Sequence, residues 1–283
     1  MQISVRNRIW SSAPYLLLAI SVVPVLVGYF WLLISSFSTR TEGLLPVGGL
    51  TLKNWSFLRE TPFGRGYPSI WRVTLNTFLI AAFMTVVVVL VSSLAGYALS
   101  RLNFPGRRQF LSLTLILHAF PSVTLLIGIF FVLRTLNLYN TIVGVGLVMV
   151  GFEMPFGIWL MKGFFDNVSW DMERAALIDG ASRLQVWWQI IIPTLKPGIA
   201  ALAIFAFVSG WNAWLIPKTF TIGAGQQATL SVYLQNFQGD TVAVDWGAVT
   251  AVGLFQLIPV ALFFIFTQDL LLSIYAGGAK GGA

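Results

Sequence analysis

Cysteine is absent from the 283 residues, and histidine occurs once, as His118. Disulfides, thiolate metal sites and cysteine nucleophiles are therefore excluded. Multi-histidine metal centres are excluded too. Charge is scarce: Asp, Glu, Lys and Arg make up 10% of the chain, against about a quarter in soluble domains. Acidic residues are the rarer sign, ten against seventeen basic ones. No set of His, Asp, Ser or Lys converges in the pattern catalysis needs.

What the chain has instead is apolar length. Hydrophobic residues make up 57% of it, and the mean hydropathy is +0.82. Roughly 20 apolar residues cross the hydrocarbon core of a bilayer. Six stretches reach that length: 13–34, 75–99, 110–133, 141–161, 197–216 and 248–274. The chain reads as an all-α polytopic membrane protein with six transmembrane helices. The first apolar run is too long for a signal peptide, and no small-residue cleavage site follows it. No repeat marks an inverted-repeat transporter. The net charge of +7 is spread along the chain without a polybasic run, so no nucleic-acid partner is expected.

Basic residues near span ends set orientation. Placing Arg6, Arg8, Arg101, Arg107, Arg108, Lys162, Arg174, Arg183, Lys196 and Lys280 in the cytoplasm puts both termini there. Ten basic residues then lie inside and seven outside, five of the seven in the long loop 37–74. The chain divides into 1–74, the first helix and an external loop, and 75–283, a five-helix core. Loop 37–74 is rich in Gly and Pro, with a short amphipathic piece at 54–58. Loop 217–246 carries Gly223, Gly225, Gln226, Gln227, a stretch over 229–237, then Gly239 and Asp240. Both exceed a minimal helix connection. They either dock an external protein or cap the bundle.

The polar segment 169–193 stands out between two apolar runs. Ser169 suits an N-cap, and Asp171 and Glu173 place negative charge in the first turn, where the helix dipole favours it. Met172, Ala175 and Ala176 fall at i, i+3 and i+4, on one face. Gly180 suits the left-handed position that ends a helix. Ser182 and Gln185 form a capping box for a second helix, which runs through Trp187, Trp188 and Ile191 until Pro193 stops it. The pattern fits a knob for a groove on a cytoplasmic partner. It fits equally a helical loop on the membrane surface, anchored by the two tryptophans. Arg183 alone offers a phosphate or base contact, which argues against DNA reading.

The segment resembles the cytoplasmic EAA loop of ABC importer permeases. That pattern is Glu-Ala-Ala, three residues, Gly, nine residues, Ile, one residue, Leu-Pro. Here it reads Arg174-Ala175-Ala176, Gly180, Ile190, then Ile192-Pro193. Arg174 stands in the Glu slot, which leaves Glu173 or Asp179 for an acidic contact. The resemblance extends to 95–107, 155–160, 179–181, Trp211-Asn212, 245–247 and the tail 276–281. Together these matches resemble the second permease subunit of maltose-type sugar importers, although Trp211-Asn212-Ala213-Trp214 replaces the usual Trp-Asn-Glu-Phe. The resemblance implies a type I permease fold in which 169–193 couples to an ATPase. It implies a homologous second permease subunit, two ATPase subunits, an extracytoplasmic solute-binding protein and a sugar-like substrate. It implies no cofactor in this chain, ATP and Mg being held by the ATPase. Consistently, residues 277–280 lack the spacing of a phosphate-cradling loop.

A few polar residues lie inside the apolar stretches. Glu153 is the one acidic residue deep in a stretch, where a charge costs about 2.5–3.5 kcal/mol on insertion scales. It either marks a path or pairs with another helix. His118, before Pro121, reads as a packing hydrogen bonder. Asn212 beside Trp211 and Trp214, and Gln256 near Pro259, suit the CH and OH groups of a sugar path.

Overall fold

A computed structural model of the chain describes residues 2–42, 45–64, 66–221, 226–238 and 244–278. Gly223, Gly225, Gly239, Asp240 and Lys280 lie outside the described residues. Among the described residues, four helices are long and apolar enough to cross a membrane, and up to six if each of two bent pairs counts as one span. Backbone contacts divide the chain into two compact units.

The larger unit comprises 63–233 and 259–283. Its centre is α2 (Ile70–Arg101), packed along α5 (Ile142–Asp166) and α9 (Lys196–Asn212). The core between them holds Ile80, Met84, Val88, Val145, Met149, Met161, Phe165 and Leu202. Lipid tails are as apolar as leucine, so spanning helices gain from close van der Waals approach, which small residues permit. A Cβ on Gly96 would sit 2.8 Å from Met161 Cβ and 2.9 Å from the Lys162 nitrogen. One on Gly210 would sit 2.9 Å from Ala81 Cα.

Two of the expected spans are not straight. The stretch 110–133 forms α3 (Arg107–Ala119) and α4 (Ser122–Thr135), bent by 101°. The cause is Pro121: it donates no N–H and pushes the preceding residue out of the helical region. Phe120 is accordingly extended, with φ −72° and ψ 132°. The stretch 197–216 breaks after Asn212, where Ala213 is extended, and resumes as α10 (Leu215–Phe220). Between α5 and α9 lie α6 (Trp170–Ile178), α7 (Arg183–Gln185), a π-helical turn over Val186–Ile191, and α8 (Ile192–Thr194). Pro193 does not stop the helix. The wide π turn before it gives the ring room it would lack in a regular helix. The bend of 81° falls one step later, at Leu195.

The described part of the loop after α10 caps α2. The Asn76 amide donates to the carbonyls of Gln226 and Ala228 at 2.7 and 3.0 Å. The Leu230 N–H donates to Thr77 Oγ1 at 2.8 Å. In α11 (Leu230–Asn236), Tyr233 is fully buried against Phe63 and Tyr67.

The smaller unit comprises 1–62 and 234–258. It begins with α1 (Gln2–Ser36), which is exposed along most of its apolar stretch and buries Ser35 and Ser36 at its end. Loop 37–74 contains an antiparallel hairpin that the residue pattern did not announce, β1 (Ser38–Glu42) with β2 (Leu45–Leu50), paired Arg40↔Val47. The amphipathic piece is a 3-10 turn, Lys53–Leu58. Its Asn54 amide donates to the carbonyls of Ser36 and Ser38. Trp55 stacks between Phe37 and Phe57, and Phe57 meets Phe255 edge-on. The last helix, α12 (Trp246–Gly278), runs through both units and contains Pro259.

Gly96→Leu forces α2 and α5 apart and is expected to lower unfolding stability by about 1–3 kcal/mol or more. Gly151→Leu, where nothing lies within 4 Å of an added Cβ, is expected to lower it little. Equilibrium unfolding in mixed micelles reads both.

Candidate functional site

Segment 169–193 is built as its caps require. The Ser169 hydroxyl accepts from the Asp171 N–H at 3.2 Å. At the other end of α6 the Gly180 N–H donates to Leu177 O at 3.2 Å, and the Ala181 N–H to Ala176 O at 3.0 Å. Those two bonds make a Schellman closure, which needs a left-handed residue. Gly180, at φ +90°, supplies it. Ser182 and Gln185 complete the capping box in both directions, at 2.7 and 3.3 Å.

What holds the segment against the protein is a buried ionic junction with the last turn of α2. Glu173 Oε2 lies 3.0 Å from Arg101 Nε, and both side chains are 1% exposed. The Tyr97 hydroxyl donates to Glu173 Oε1 at 2.7 Å. Arg101 also donates to the Val168 carbonyl at 2.6 Å and lies over the Trp170 ring, 4.4 Å from its centroid. One turn away, the Ser100 hydroxyl donates to Asp166 Oδ1 at 2.6 Å, and Lys162 pairs with the same carboxylate. Either charge of the Arg101–Glu173 pair, buried alone, would cost several kcal/mol. Together, and with Tyr97 and Val168 satisfying further atoms, they fasten α6 to α2.

The sequence-predicted residues fall on both sides of this junction. Glu173 was a candidate for the acidic contact to an ATPase, but its carboxylate faces inward and is consumed by Arg101 and Tyr97. The proposed common face also splits: Met172 and Ala175 are exposed, while Ala176 and Leu177 pack against the core. Arg174 is exposed, its guanidinium 5.7 Å from the Trp170 ring. Asp179 and Gly180 are exposed, Ile190 is half-buried and Pro193 exposed. The two tryptophans separate as well. Trp187 is buried in the core and Trp188 is 61% exposed. Of the junction's partners on α2 and α5, sequence reasoning used Arg101 only for orientation and gave Tyr97, Ser100 and Asp166 no individual role. The one local signal is an arginine at the very end of an apolar run. Its acidic partner lies far along the chain.

The path candidates are spread out. Glu153 Oε2 accepts from the Ser209 hydroxyl of α9 at 3.1 Å, which pairs it with another helix. His118 stacks on Phe156. Trp211 is 1% exposed and stacked on Phe207, so its ring faces packed protein. Asn212 is exposed and Trp214 is 40% exposed. Gln256 belongs to the smaller unit, the other four to the larger.

Apolar helices long enough to span a bilayer, interrupted by a polar, capped segment held by the end of a core helix, define a multi-pass membrane protein. The chain belongs to the family of binding-protein-dependent transport system inner membrane components, whose model matches residues 89–273. It is similar to the sulfoquinovosyl glycerol transport system permease protein of Agrobacterium fabrum, 31% identical over 97% of this chain and 96% of that protein. It is 29% identical to the trehalose transport system permease protein of Mycobacterium tuberculosis, over 98% of each. A bacterial ABC transporter involved in the import of the acidic polysaccharide alginate shares the fold, with a TM-score of 0.77 at 23% identity over 93% of this chain and 97% of that one. The protein is thus a multi-pass inner-membrane permease subunit of an ABC importer with the type I permease fold. It is a transport component, and a permease of this family needs no cofactor of its own.

Removing the Glu173 carboxylate leaves Arg101 buried without its counter-ion. Glu173→Ala is expected to cost roughly 3–5 kcal/mol of local stability, read as lost amide-exchange protection across α6. Asp179→Ala, at an exposed position, is expected to leave that protection intact.

Proposed function

We propose that this chain forms half of the translocation pathway of an importer for a sugar, oligosaccharide or polyol. The other half is a homologous second permease subunit. Two ATPase subunits hold ATP and Mg, and an extracytoplasmic solute-binding protein delivers the substrate. Both termini face the cytoplasm, in line with the distribution of basic residues.

Segment 169–193 docks on one ATPase subunit. The observation that carries this reading is the segment's two-sidedness. Its inner face is locked to α2, while its outer face leaves Ile178 84% and Leu184 67% exposed. Apolar side chains so exposed on a polar, doubly capped segment favour burial against a partner. Arg174 and Asp179 flank them and offer one charge of each sign. The relatives' names, for a sulfoquinovosyl glycerol and a trehalose system, support a carbohydrate substrate. Glu153, Asn212, Trp214 and Gln256 are the path candidates for polar contact with it, and Trp211 supports the path from behind.

Proteoliposomes containing the four kinds of subunit are expected to take up sugar only with ATP inside. Uptake that survives without ATP and collapses with a proton or sodium ionophore would make the chain a secondary transporter instead. Gly180→Pro cannot adopt the left-handed turn at φ +90°. It is expected to insert into membranes normally yet lose ATPase association, and normal co-purification of that variant would sink the docking role.

A further inference from the structure

The turn between α2 and α3 opens onto a cavity of about 620 Å³, lined by Asn103, Gly106, Arg107, Arg108, Gln109 and Lys162. Leu111 and Lys162 also line a neighbouring groove of about 280 Å³, otherwise walled largely by Trp159, Leu160 and Phe164. A cavity ringed by basic side chains, with Phe104 and Leu111 in its wall, therefore adjoins an apolar groove, and Leu111 and Lys162 are common to both.

The charge of the pair is unbalanced. Asp166, at the edge of the groove, is already held by Lys162 and by the Ser100 hydroxyl. Arg107 donates to the carbonyls of Leu102 and Ser100, at 3.5 and 3.4 Å, and its charge also acts on Asp166. Arg108 is exposed. Three cations thus meet one anion. Helix α3 starts at Arg107, so the positive end of its dipole adds to the field.

Depth agrees with charge. Helix α5 begins at Ile142, so 142–161 supply the roughly 20 residues, or about 30 Å, that cross the hydrocarbon core. Lys162 then stands at headgroup level. Trp159, one turn deeper and 48% exposed, sits where interfacial tryptophans are enriched.

We propose that cavity and groove form a binding site for one anionic phospholipid. Arg107, Arg108 and Lys162 hold the headgroup phosphate, and an acyl chain lies along Leu111, Trp159 and Leu160. A zwitterionic lipid fits the groove but leaves the positive excess uncompensated. A free anion compensates the charge but leaves the groove empty. Basic pockets at the ends of spanning helices take anionic headgroups for the same reason, and each basic residue near the surface adds about fivefold in affinity.

The test is a titration of the full chain in detergent with phosphatidylglycerol carrying brominated acyl chains, followed by tryptophan quenching. Trp159→Phe identifies the share of quenching that comes from the groove. Phosphatidylglycerol is expected to bind more tightly than brominated phosphatidylcholine. The Arg107→Gln/Arg108→Gln double variant is expected to bind phosphatidylglycerol roughly 25-fold more weakly, about fivefold per arginine, with phosphatidylcholine binding unchanged. Arg108→Gln alone, at an exposed position, shows about a fivefold loss in a protein whose folding is not in question. Equal affinity for the two lipids, or a preference undiminished in Arg108→Gln, overturns the proposal. Displacement of the lipid by equimolar inorganic phosphate also overturns it and reassigns the cavity to a free anion.

Discussion

Hydrocarbon offers no hydrogen-bond partner, so a chain inside it must satisfy its backbone within its own segments. The architecture follows from that constraint. The spans are helices, and the hairpin of 38–50 lies outside the candidate spans. Several threonine hydroxyls within the spans turn back on their own helix. Thr77, Thr85, Thr250 and Thr267 each donate to the carbonyl four residues earlier, an accepted way to hide a polar side chain in a helix. Helical pairing is interrupted where chemistry removes it, at Pro121, or where the helix widens first, in the π turn before Pro193.

The same constraint explains where charge is tolerated. Within the larger unit, two ion pairs form where α2 and α5 end, Arg101 with Glu173 and Lys162 with Asp166. Arg101 and Glu173 exchange water for each other, for Tyr97 and for the Trp170 face. Such a pair contributes little net stability over an apolar replacement, but breaking it is costly. Its value is therefore positional. Glu173 belongs to the short α6 and Arg101 to the helix most extensively packed in the unit. The junction joins α6 to α2 through a contact shielded from water, and α2 in turn packs closely on α5 and α9 at Gly96 and Gly210.

Much of the local structure was legible from residue types. Apolar length announced spanning helices, and Ser169, Gly180, Ser182 and Gln185 announced the caps, because capping is decided within four residues. The spacing from Arg174 to Pro193 carried the resemblance to the permease loop. Proline positions were legible but their consequences were not. Pro121 splits an apparent span, whereas Pro193 does not end its helix, because the outcome depends on whether neighbouring turns can widen. The hairpin escaped notice since strand pairing depends on a partner strand as much as on local pattern.

The sequence by itself determined the membrane class, the caps of the short helices, and the polar segment between two apolar runs. These rest on transfer free energy and on local hydrogen bonding, which act over one helical turn or one span. Only the tertiary structure decided that Glu173 points inward and Arg174 outward, and that Trp187 is core while Trp188 is surface. It alone brought Arg107 and Arg108 beside Lys162. Adjacent residues on a helix differ by about 100° in direction, so which of two neighbours is buried depends on what packs against the helix. Here that is the last turn of α2, 76 residues before α6 along the Tyr97–Glu173 contact.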